Sequence, residues 1–177
     1  PYNNLEKVFD VVYAKNGKSP VKLAGYHALN SLRMEKGYLH WGHDIGVEEN
    51  PFEAGVGFCV NLNKKNPFLG QAALEEKKKS GLSKRKVNFA LSNNDLLIYH
   101  NEPIYFDGKI VGEISSGMYG FYLDKSLGMG YISNNDSYSI EEMMSHQKFE
   151  IEVAETKYSA EGSINCFYDP GREKILV

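Results

Sequence analysis

"IYFDGKIVGEISSGMYGFY" occupies residues 104–122 and contains a hairpin signal. Two apolar segments, residues 104–106 and 109–112, flank the dipeptide Asp107-Gly108. Asp-Gly readily adopts the positive φ angles of a tight type I′ turn, so this stretch predicts two antiparallel strands. The tripeptide SSG at residues 115–117 predicts a turn or a bulge within the second strand.

Other segments around this hairpin show the alternation of apolar and polar residues that is typical of strands. They are residues 87–91, 127–133, 149–153 and 158–167. Several short strands at regular intervals are typical of a small barrel or sandwich. The sequence therefore predicts an all-β second half, which begins near residues 81–84.

The first half has helical periodicity, interrupted by glycine and proline. We also expect a break at Asn50-Pro51. The predicted elements are a helix over residues 5–12 closed by Gly17, a buried helix over residues 23–36 that starts after Ser19-Pro20 and ends at Gly37, a strand over residues 58–62, and a surface helix over residues 68–80 with a left-handed stop at Gly81.

Composition argues against some classes of partner. Of the 177 residues, 42% are hydrophobic and 24% charged, and the net charge is −3, so no strong positive field favours nucleic acid or an anionic membrane. The basic residues at 77–79 and 84–86 are interpreted as a solvated helix end. No apolar run is long enough to cross a bilayer. We therefore expect neither nucleic acid nor a membrane as partner.

The two cysteines, Cys59 and Cys166, lie in apolar runs (GFCV and INCF). This usage favours a reducing compartment over the setting of a disulfide-stapled secreted domain. We therefore expect the protein in the cytoplasm, or in the mitochondrial matrix of a eukaryote. The chain begins at Pro1 without an initiator methionine. We therefore expect a processed chain or a piece of a longer protein.

Metal and nucleophile signatures are weak. His40 and His43 form an HxxH pair with carboxylates nearby, but a metal site needs three or four converging ligands. The pattern therefore favours polar turn histidines and no metal site. No signature of nucleophilic catalysis surrounds the serines at 115–116 or the cysteines, and the chain lacks GxGxxG and phosphate-loop motifs.

Glu35 allows two interpretations. It shares a helical face with Ser31 and Leu32 and lies at the margin of that apolar face. Its carboxylate can form a salt bridge with Arg33 or Lys36, or accept hydrogen bonds from adjacent N–H donors of a planar heterocycle. The pattern alone favours the salt bridge.

Tyr38 and Trp41 follow the predicted end of that helix. Aromatic side chains beside a carboxylate suit stacking on a flat ligand. They are also consistent with a hydrophobic plug, and the pattern alone favours that interpretation.

Three successive motifs resemble those of the glycine-cleavage T-protein, or aminomethyltransferase, superfamily. They are SLRMEKGYLHWGHDI (31–45), ENPFEAGVGFCVNLNK (49–64) and NPFLGQAAL (66–74). The stretch YFDGKIVGEISSGMYGFYLDKSLGMGYI (105–132) continues the resemblance into the β half. The wording is closest to the C-terminal folate-binding region of dimethylglycine and sarcosine dehydrogenases.

This resemblance implies an α+β fold and a folate ligand. Residues 1–82 would form the C-terminal part of the central folate-binding domain, and residues 83–177 its small antiparallel β-barrel domain. The ligand would be tetrahydrofolate. The Glu of the L-R-x-E motif, here Glu35, hydrogen-bonds the pterin ring in this family, which reverses the interpretation favoured by the pattern alone.

The resemblance also implies further folate-binding residues. Lys64 and Lys65 stand where T-proteins typically carry a folate-contacting Arg, and lysine lacks the bidentate fork of arginine. Tyr38 and Trp41 match positions of the loop that follows the Glu. Tyr168 is expected to line the same cleft.

The function that the resemblance implies depends on parts outside this sequence. The family's catalytic Asp lies in the first part of the folate domain, and the dehydrogenases carry FAD in a further domain, so we expect no catalytic residue here. The expected protein is the C-terminal portion of a flavin-dependent N-methylglycine dehydrogenase that transfers a one-carbon unit to tetrahydrofolate. Its partner would be the remainder of that enzyme or a flavoprotein subunit, and the chain alone would be inactive. The alternatives are an aminomethyltransferase proper and a non-catalytic folate-binding or subunit-interaction module.

Overall fold

Short helices precede a run of antiparallel strands along the chain. The structure, a computed structural model, describes residues 2–13, 21–174 and 176. The elements are the helices α1 (Leu5–Tyr13), α2 (Tyr26–Lys36), α3 (Gln71–Ser80) and α4 (Ile140–His146) and the strands β1 (Lys84–Leu91), β2 (Pro103–Phe106), β3 (Lys109–Gly120), β4 (Lys125–Ser133), β5 (Phe149–Val153) and β6 (Thr156–Ser163).

The six strands form a closed antiparallel barrel in the order β1-β4-β3-β2-β5-β6. The predicted hairpin joins β2 to β3, and φ is 49° at Asp107 and 79° at Gly108, as a type I′ turn requires. The register of β3 against β4 shifts between Ile114 and Ser116, which confirms the predicted bulge. The α+β class with an antiparallel barrel is therefore confirmed.

Three phenylalanines form the centre of the barrel. Phe89, Phe106 and Phe149 are at most 2% exposed, and Phe149 packs edge-on against the other two at ring-centroid distances of 5.4 and 5.1 Å. Edge-to-face packing of buried rings adds to the free energy gained by removing their apolar surface from water. This core gives the outer surface of the barrel a rigid support.

Helix α2 packs on that outer surface. Met34 joins Ala90 of β1 and Leu127 and Met129 of β4 in a second buried apolar cluster. Strand β1 is buried on both faces over most of its length, because Val87 and Phe89 join the barrel core while Met34 and residues 163–165 cover Ala90 and Asn88 on the other face.

The prediction of a buried helix over residues 23–36 is wrong in two respects. The helix begins at Tyr26, and its apolar residues Leu29 and Leu32 are 56% and 61% exposed. The buried face instead carries Ser31, Met34 and Glu35, because that side faces the barrel. Gly37 ends the helix with φ of 68°, as predicted.

Three other predicted segments differ from the structure. Residues 57–59 form a 3-10 turn in place of a strand, because the amides of Cys59 and Val60 bond to carbonyls only three residues back. At Gly81, φ of 82° and ψ of 172° do not give a left-handed stop. Strand β6 ends at Ser163, short of the predicted residue 167. The signals at Gly17 and Ser19-Pro20 lie outside the described residues.

The remaining helices agree better with the sequence. The predicted first helix is α1, and the predicted surface helix begins three residues late, at Gln71. None of the helices in the described part of the chain has the length and apolar character that crossing a bilayer requires.

We expect Gly112→Ala to lower the free energy of unfolding by about 1–3 kcal/mol or more, because a Cβ there would overlap the backbone carbonyl of Tyr131 on β4. Neither of these two paired strands can move without disturbing the barrel. Urea denaturation followed by circular dichroism measures the loss. Gly25→Ala is the matched control, since no atom lies within 4 Å of its added Cβ. Equal stability of the two variants would contradict this prediction.

Candidate functional site

The buried face of α2 binds the turn between β3 and β4. Glu35 is 3% exposed, and its Oε1 accepts the backbone N–H of Tyr122 at 2.7 Å and of Leu123 at 3.1 Å. One turn earlier, the Ser31 hydroxyl donates to the carbonyl of Tyr119 at 2.8 Å. These hydrogen bonds fix the end of β3 against the helix.

The salt bridge between Glu35 and Arg33 or Lys36 is not present, so that interpretation is wrong. Arg33 pairs with Asp44 at 2.8 Å and Lys36 pairs with Asp169 at 3.0 Å. Successive helical residues are about 100° apart around the axis, so neither cation shares the face of Glu35.

A pocket of about 370 Å³ lies beside Glu35. Its walls combine aliphatic and aromatic side chains with this single carboxylate and two cationic residues. The lining residues are Leu29, Leu32, Arg33, Glu35, Lys36, Tyr38, Tyr122 and Tyr168. This explains the exposure of Leu29 and Leu32, which form one wall of the pocket.

The Glu35 carboxylate has one oxygen left for a ligand. Both backbone hydrogen bonds fall on Oε1, and Oε2 has no hydrogen-bond partner among the described residues. The rings of Tyr122 and Tyr168 meet edge-on, with centroids 4.9 Å apart. The pocket therefore offers a hydrogen-bond acceptor next to aromatic surfaces, a combination suited to a flat heterocycle with N–H donors.

Tyr168, at the start of the C-terminal segment (residues 168–174), forms another wall, and the rest of that segment holds it in place. The backbone N–H of Tyr168 donates to the carbonyl of Glu35 at 3.1 Å, and the Lys36 ammonium donates to the Asp169 carboxylate. Burial raises the pKa of the Asp169 carboxyl, but hydrogen bonds from Lys36 and the Lys174 backbone outweigh it, so this pKa lies below its usual value. Lys174 donates to the Tyr122 hydroxyl at 3.2 Å.

The pocket includes three of the predicted folate-binding residues, namely Glu35, Tyr38 and Tyr168. The other three do not line it: Trp41 is 67% exposed, and Lys64 and Lys65 are exposed in the loop before α3.

Sequence reasoning missed Tyr122 and the pocket-lining position of Leu29 and Leu32. The aromatic pair Phe121-Tyr122 at the end of the predicted strand was the available signal for Tyr122. The sequence contains no comparable signal for Leu29 and Leu32, since an apolar residue in a helix is usually buried.

The other polar and sulfur-containing side chains that the sequence suggested as possible chemical groups form structural contacts. The rings of His40 and His43 lie 4.8 Å apart, and no group of three or more metal-ligating side chains occurs within residues 2–13, 21–174 and 176. The Asp44 carboxylate accepts from Arg33, from the His40 backbone and, at 2.6 Å, from the Ser115 hydroxyl. The Cys166 thiol donates to the carbonyl of Tyr168 at 3.1 Å.

Comparison with known proteins identifies two family models that match this sequence. The "Glycine cleavage T-protein C-terminal barrel domain" matches residues 84–169, and the "GCVT N-terminal domain" matches residues 1–64. The resemblance noted from the sequence motifs is therefore confirmed.

Several curated proteins are similar over nearly the whole chain. They are 4-methylaminobutanoate oxidase (formaldehyde-forming) of Paenarthrobacter nicotinovorans (36% identical over 95% of this chain), human mitochondrial sarcosine dehydrogenase (31% over 99%) and the mouse mitochondrial pyruvate dehydrogenase phosphatase regulatory subunit (32% over 94%). The chain spans 20%, 19% and 20% of their respective lengths.

A solved structure supports the fold. The glycine cleavage system aminomethyltransferase T from Bartonella henselae superposes with a TM-score of 0.76 at 21% identity, covering 96% of this chain and 45% of that one.

We expect Asp169→Asn to loosen the C-terminal segment, because it removes the charge that pairs with Lys36. The wild type should show the same loosening on acidification. The lowered pKa means that the stabilisation is complete above the ordinary aspartate pKa, about 4, and is lost as the pH falls through the lower folded value. Hydrogen–deuterium exchange of residues 164–174 at pH 7 and pH 3, compared as protection factors relative to the intrinsic exchange rate at each pH, measures both effects.

Asp107→Asn, at an exposed pair with Lys148, is the matched control and should leave exchange of that segment unchanged. The prediction fails if exchange in Asp169→Asn equals that of the wild type at pH 7.

Proposed function

Because this chain belongs to the glycine cleavage T-protein family, we propose that it forms the tetrahydrofolate-binding C-terminal portion of a flavin-dependent N-methylglycine dehydrogenase. The family binds tetrahydrofolate and belongs to folate-related one-carbon metabolism. The similarity to sarcosine dehydrogenase supports the choice of an N-methylated glycine as the substrate of the whole enzyme. The observation that carries the proposal is the aromatic pocket beside the free oxygen of Glu35.

The residues of this pocket fit the pterin part of folate. A pterin is a flat, two-ring heterocycle with neighbouring N–H donors, and Oε2 of Glu35 offers a charged acceptor to such donors. Tyr38, Tyr122 and Tyr168 provide aromatic surface, and Leu29 and Leu32 complete an apolar wall. Tetrahydrofolate supplies the secondary amine that takes up the one-carbon unit.

The role of the chain in the reaction is to position the ligand. Glu35 is itself held by two backbone N–H groups, so its free oxygen has a fixed direction. The segment around Tyr168 is anchored by Lys36, which keeps its ring at the pocket wall. Fixed orientation of a reacting amine raises its effective concentration and lets it meet the one-carbon unit before water does.

The proposal includes a partner, the remainder of the parent enzyme or a flavoprotein subunit, which would carry FAD and the catalytic carboxylate. Helix α1 supports this, because it has no buried residue and exposes Leu5, Val8, Phe9 and Val11. Contiguous exposed apolar residues of this kind mark interaction surfaces. We assign Trp41, Lys64 and Lys65 to parts of the folate that extend beyond the pocket, since all three side chains are exposed.

The proposed division places the folate-domain portion in residues 1–82 and the barrel domain in residues 83–177. The separate matches to residues 1–64 and 84–169 support it.

Two alternatives have support in the comparisons. The similarity to the pyruvate dehydrogenase phosphatase regulatory subunit favours a non-catalytic module. An aminomethyltransferase proper is the other, and the solved aminomethyltransferase shares its fold. A flavin-binding region in the same gene product would separate the dehydrogenase from the transferase.

We expect Glu35→Gln to weaken tetrahydrofolate binding by about 10- to 100-fold, as loss of a charged hydrogen bond predicts. A glutamine oxygen still accepts from Tyr122 and Leu123, whereas its NH₂ group replaces the free oxygen and repels N–H donors. Isothermal titration calorimetry with tetrahydrofolate under anaerobic conditions measures the effect.

Glu35→Ala is the structural comparison. It should lose both folate binding and about 1–3 kcal/mol of stability, because two buried N–H groups lose their acceptor. If Glu35→Gln binds folate as the wild type does, Glu35 serves only to hold the β3–β4 turn. That result would contradict the proposed folate contact and would favour the non-catalytic module.

In the complete dehydrogenase, Glu35→Gln should raise the apparent KM for tetrahydrofolate and leave flavin reduction by the N-methylated amine unchanged. Stopped-flow absorbance of the flavin measures the second quantity. The isolated 177-residue chain should show no turnover with these substrates. Turnover by the isolated chain, or loss of flavin reduction in the variant, would contradict the division of labour.

A further inference from the structure

A second cavity, of about 500 Å³, lies beyond the C-terminal end of α2. It shares Lys36 and Tyr38 with the first pocket but extends in another direction, toward the start of β1 and residues 164–172. We call it the Lys86 cavity. Apolar side chains form much of its wall, among them Leu39, Val56 and Phe58.

Lys86 contributes a buried ammonium to this cavity. It is 6% exposed, and its Nζ donates to Oδ1 of Asn88 at 3.0 Å. The Asn88 amide nitrogen donates to the carbonyls of residues 163–165, which fixes the amide with its oxygen toward Lys86. The Lys86 ammonium is therefore held in place by the neutral side-chain amide of Asn88.

No carboxylate of the described residues lies within ion-pair distance of Lys86; Asp44, whose charge acts on it, is itself paired with Arg33. The other buried cations of this region have partners, Asp44 for Arg33 and Asp169 for Lys36. Lys86 forms no ion pair with any residue in the described part of the chain. A buried charge without a counter-charge is costly, and a bound anion would remove that cost.

We propose that the Lys86 cavity binds an organic carboxylate, whose anionic group pairs with the Lys86 ammonium and whose apolar body lies against Leu39, Val56 and Phe58. A second cation, Arg172, lines the same cavity with its guanidinium 5.5 Å from the centre of the Phe58 ring. The apolar wall favours a carboxylate with a hydrocarbon or aromatic body over a highly hydrated anion such as phosphate.

The surroundings of Lys86 define the expected pH dependence. The pKa of Lys86 is lowered to about 8, chiefly by burial; the charge of Arg85 also lowers it, and Asp44 and Cys166 act in the opposite direction. Lys36 also lines the cavity, with its charge paired to Asp169. The ammonium form predominates at pH 7, so carboxylate binding should be constant from about pH 5, where the ligand is still ionised, to pH 7, and fall about tenfold per unit once Lys86 deprotonates.

Benzoate is a suitable probe, because it combines a carboxylate with one aromatic ring. We expect saturable binding to the purified protein at pH 7, weakened at least tenfold in Lys86→Met and retained in Lys86→Arg. Two-dimensional NMR titration of the backbone amides of residues 54–58, 86–88 and 164–166 measures the affinity and its location. Lys84→Met is the matched control, because Lys84 lies on the same strand and pairs with Glu49.

Thermal unfolding shows whether Lys86→Met is folded. Its melting temperature at pH 7 should equal or exceed that of the wild type, since methionine of similar length removes a buried charge. The proposal is overturned if Lys86→Met and the wild type bind benzoate equally well. It is also overturned if the wild type shows no saturable binding.

Competition identifies the source of the carboxylate. If tetrahydrofolate displaces benzoate and 6-methyltetrahydropterin does not, the carboxylate belongs to a folate seated in the first pocket. If neither displaces it, the ligand is a separate small carboxylate. Glu35→Gln should bind benzoate normally in both cases, so failure of the folate proposal and failure of this one are distinguishable.

Discussion

The hydrogen bonds from the Tyr122 and Leu123 amides to Glu35 connect the two halves of this chain. They join residues 87 and 88 positions apart and seat α2 on the barrel at the end of β3. A carboxylate that accepts two backbone N–H groups in a buried position has little freedom to rotate. Every wall of the first pocket depends on this seating, since α2 contributes one wall and the β3–β4 turn another.

Polar contacts hold α2 on the barrel in addition to the apolar cluster around Met34. Arg33 bonds to the Asp44 carboxylate and to the Ser116 hydroxyl, while Ser115 donates to the same carboxylate. In a regular strand, consecutive side chains point to opposite faces. The bulge between Ile114 and Ser116 lets two neighbouring serines reach one ion pair. Such buried polar contacts contribute little net stability, but they define one position of the helix along the barrel.

Local chemistry explains what the sequence could predict. The Asp107-Gly108 turn, the bulge at 115–117 and the stop at Gly37 each depend on residues within a few positions, and each is present. The partners of Glu35 could not be predicted this way, because they lie in the other half of the chain. Periodicity also failed to show which side of α2 faces the barrel. It assumes that apolar residues are buried, whereas here Leu29 and Leu32 line an open pocket.

Helix α2 exposes its leucines and buries polar residues because it must both pack on the barrel and form one wall of a pocket. A helix that only packs would bury its leucines, but a helix that also forms the wall of an open pocket must leave apolar surface accessible. Polar groups can then occupy the packed side only if each finds a partner, as Ser31 and Glu35 do on the β3–β4 turn and Lys36 does on the C-terminal segment. Lys86, on strand β1, is a buried cation that hydrogen-bonds to Asn88 and forms no ion pair with the described residues. The contrast between these paired groups and Lys86 separates residues that build the fold from one that is available to a ligand.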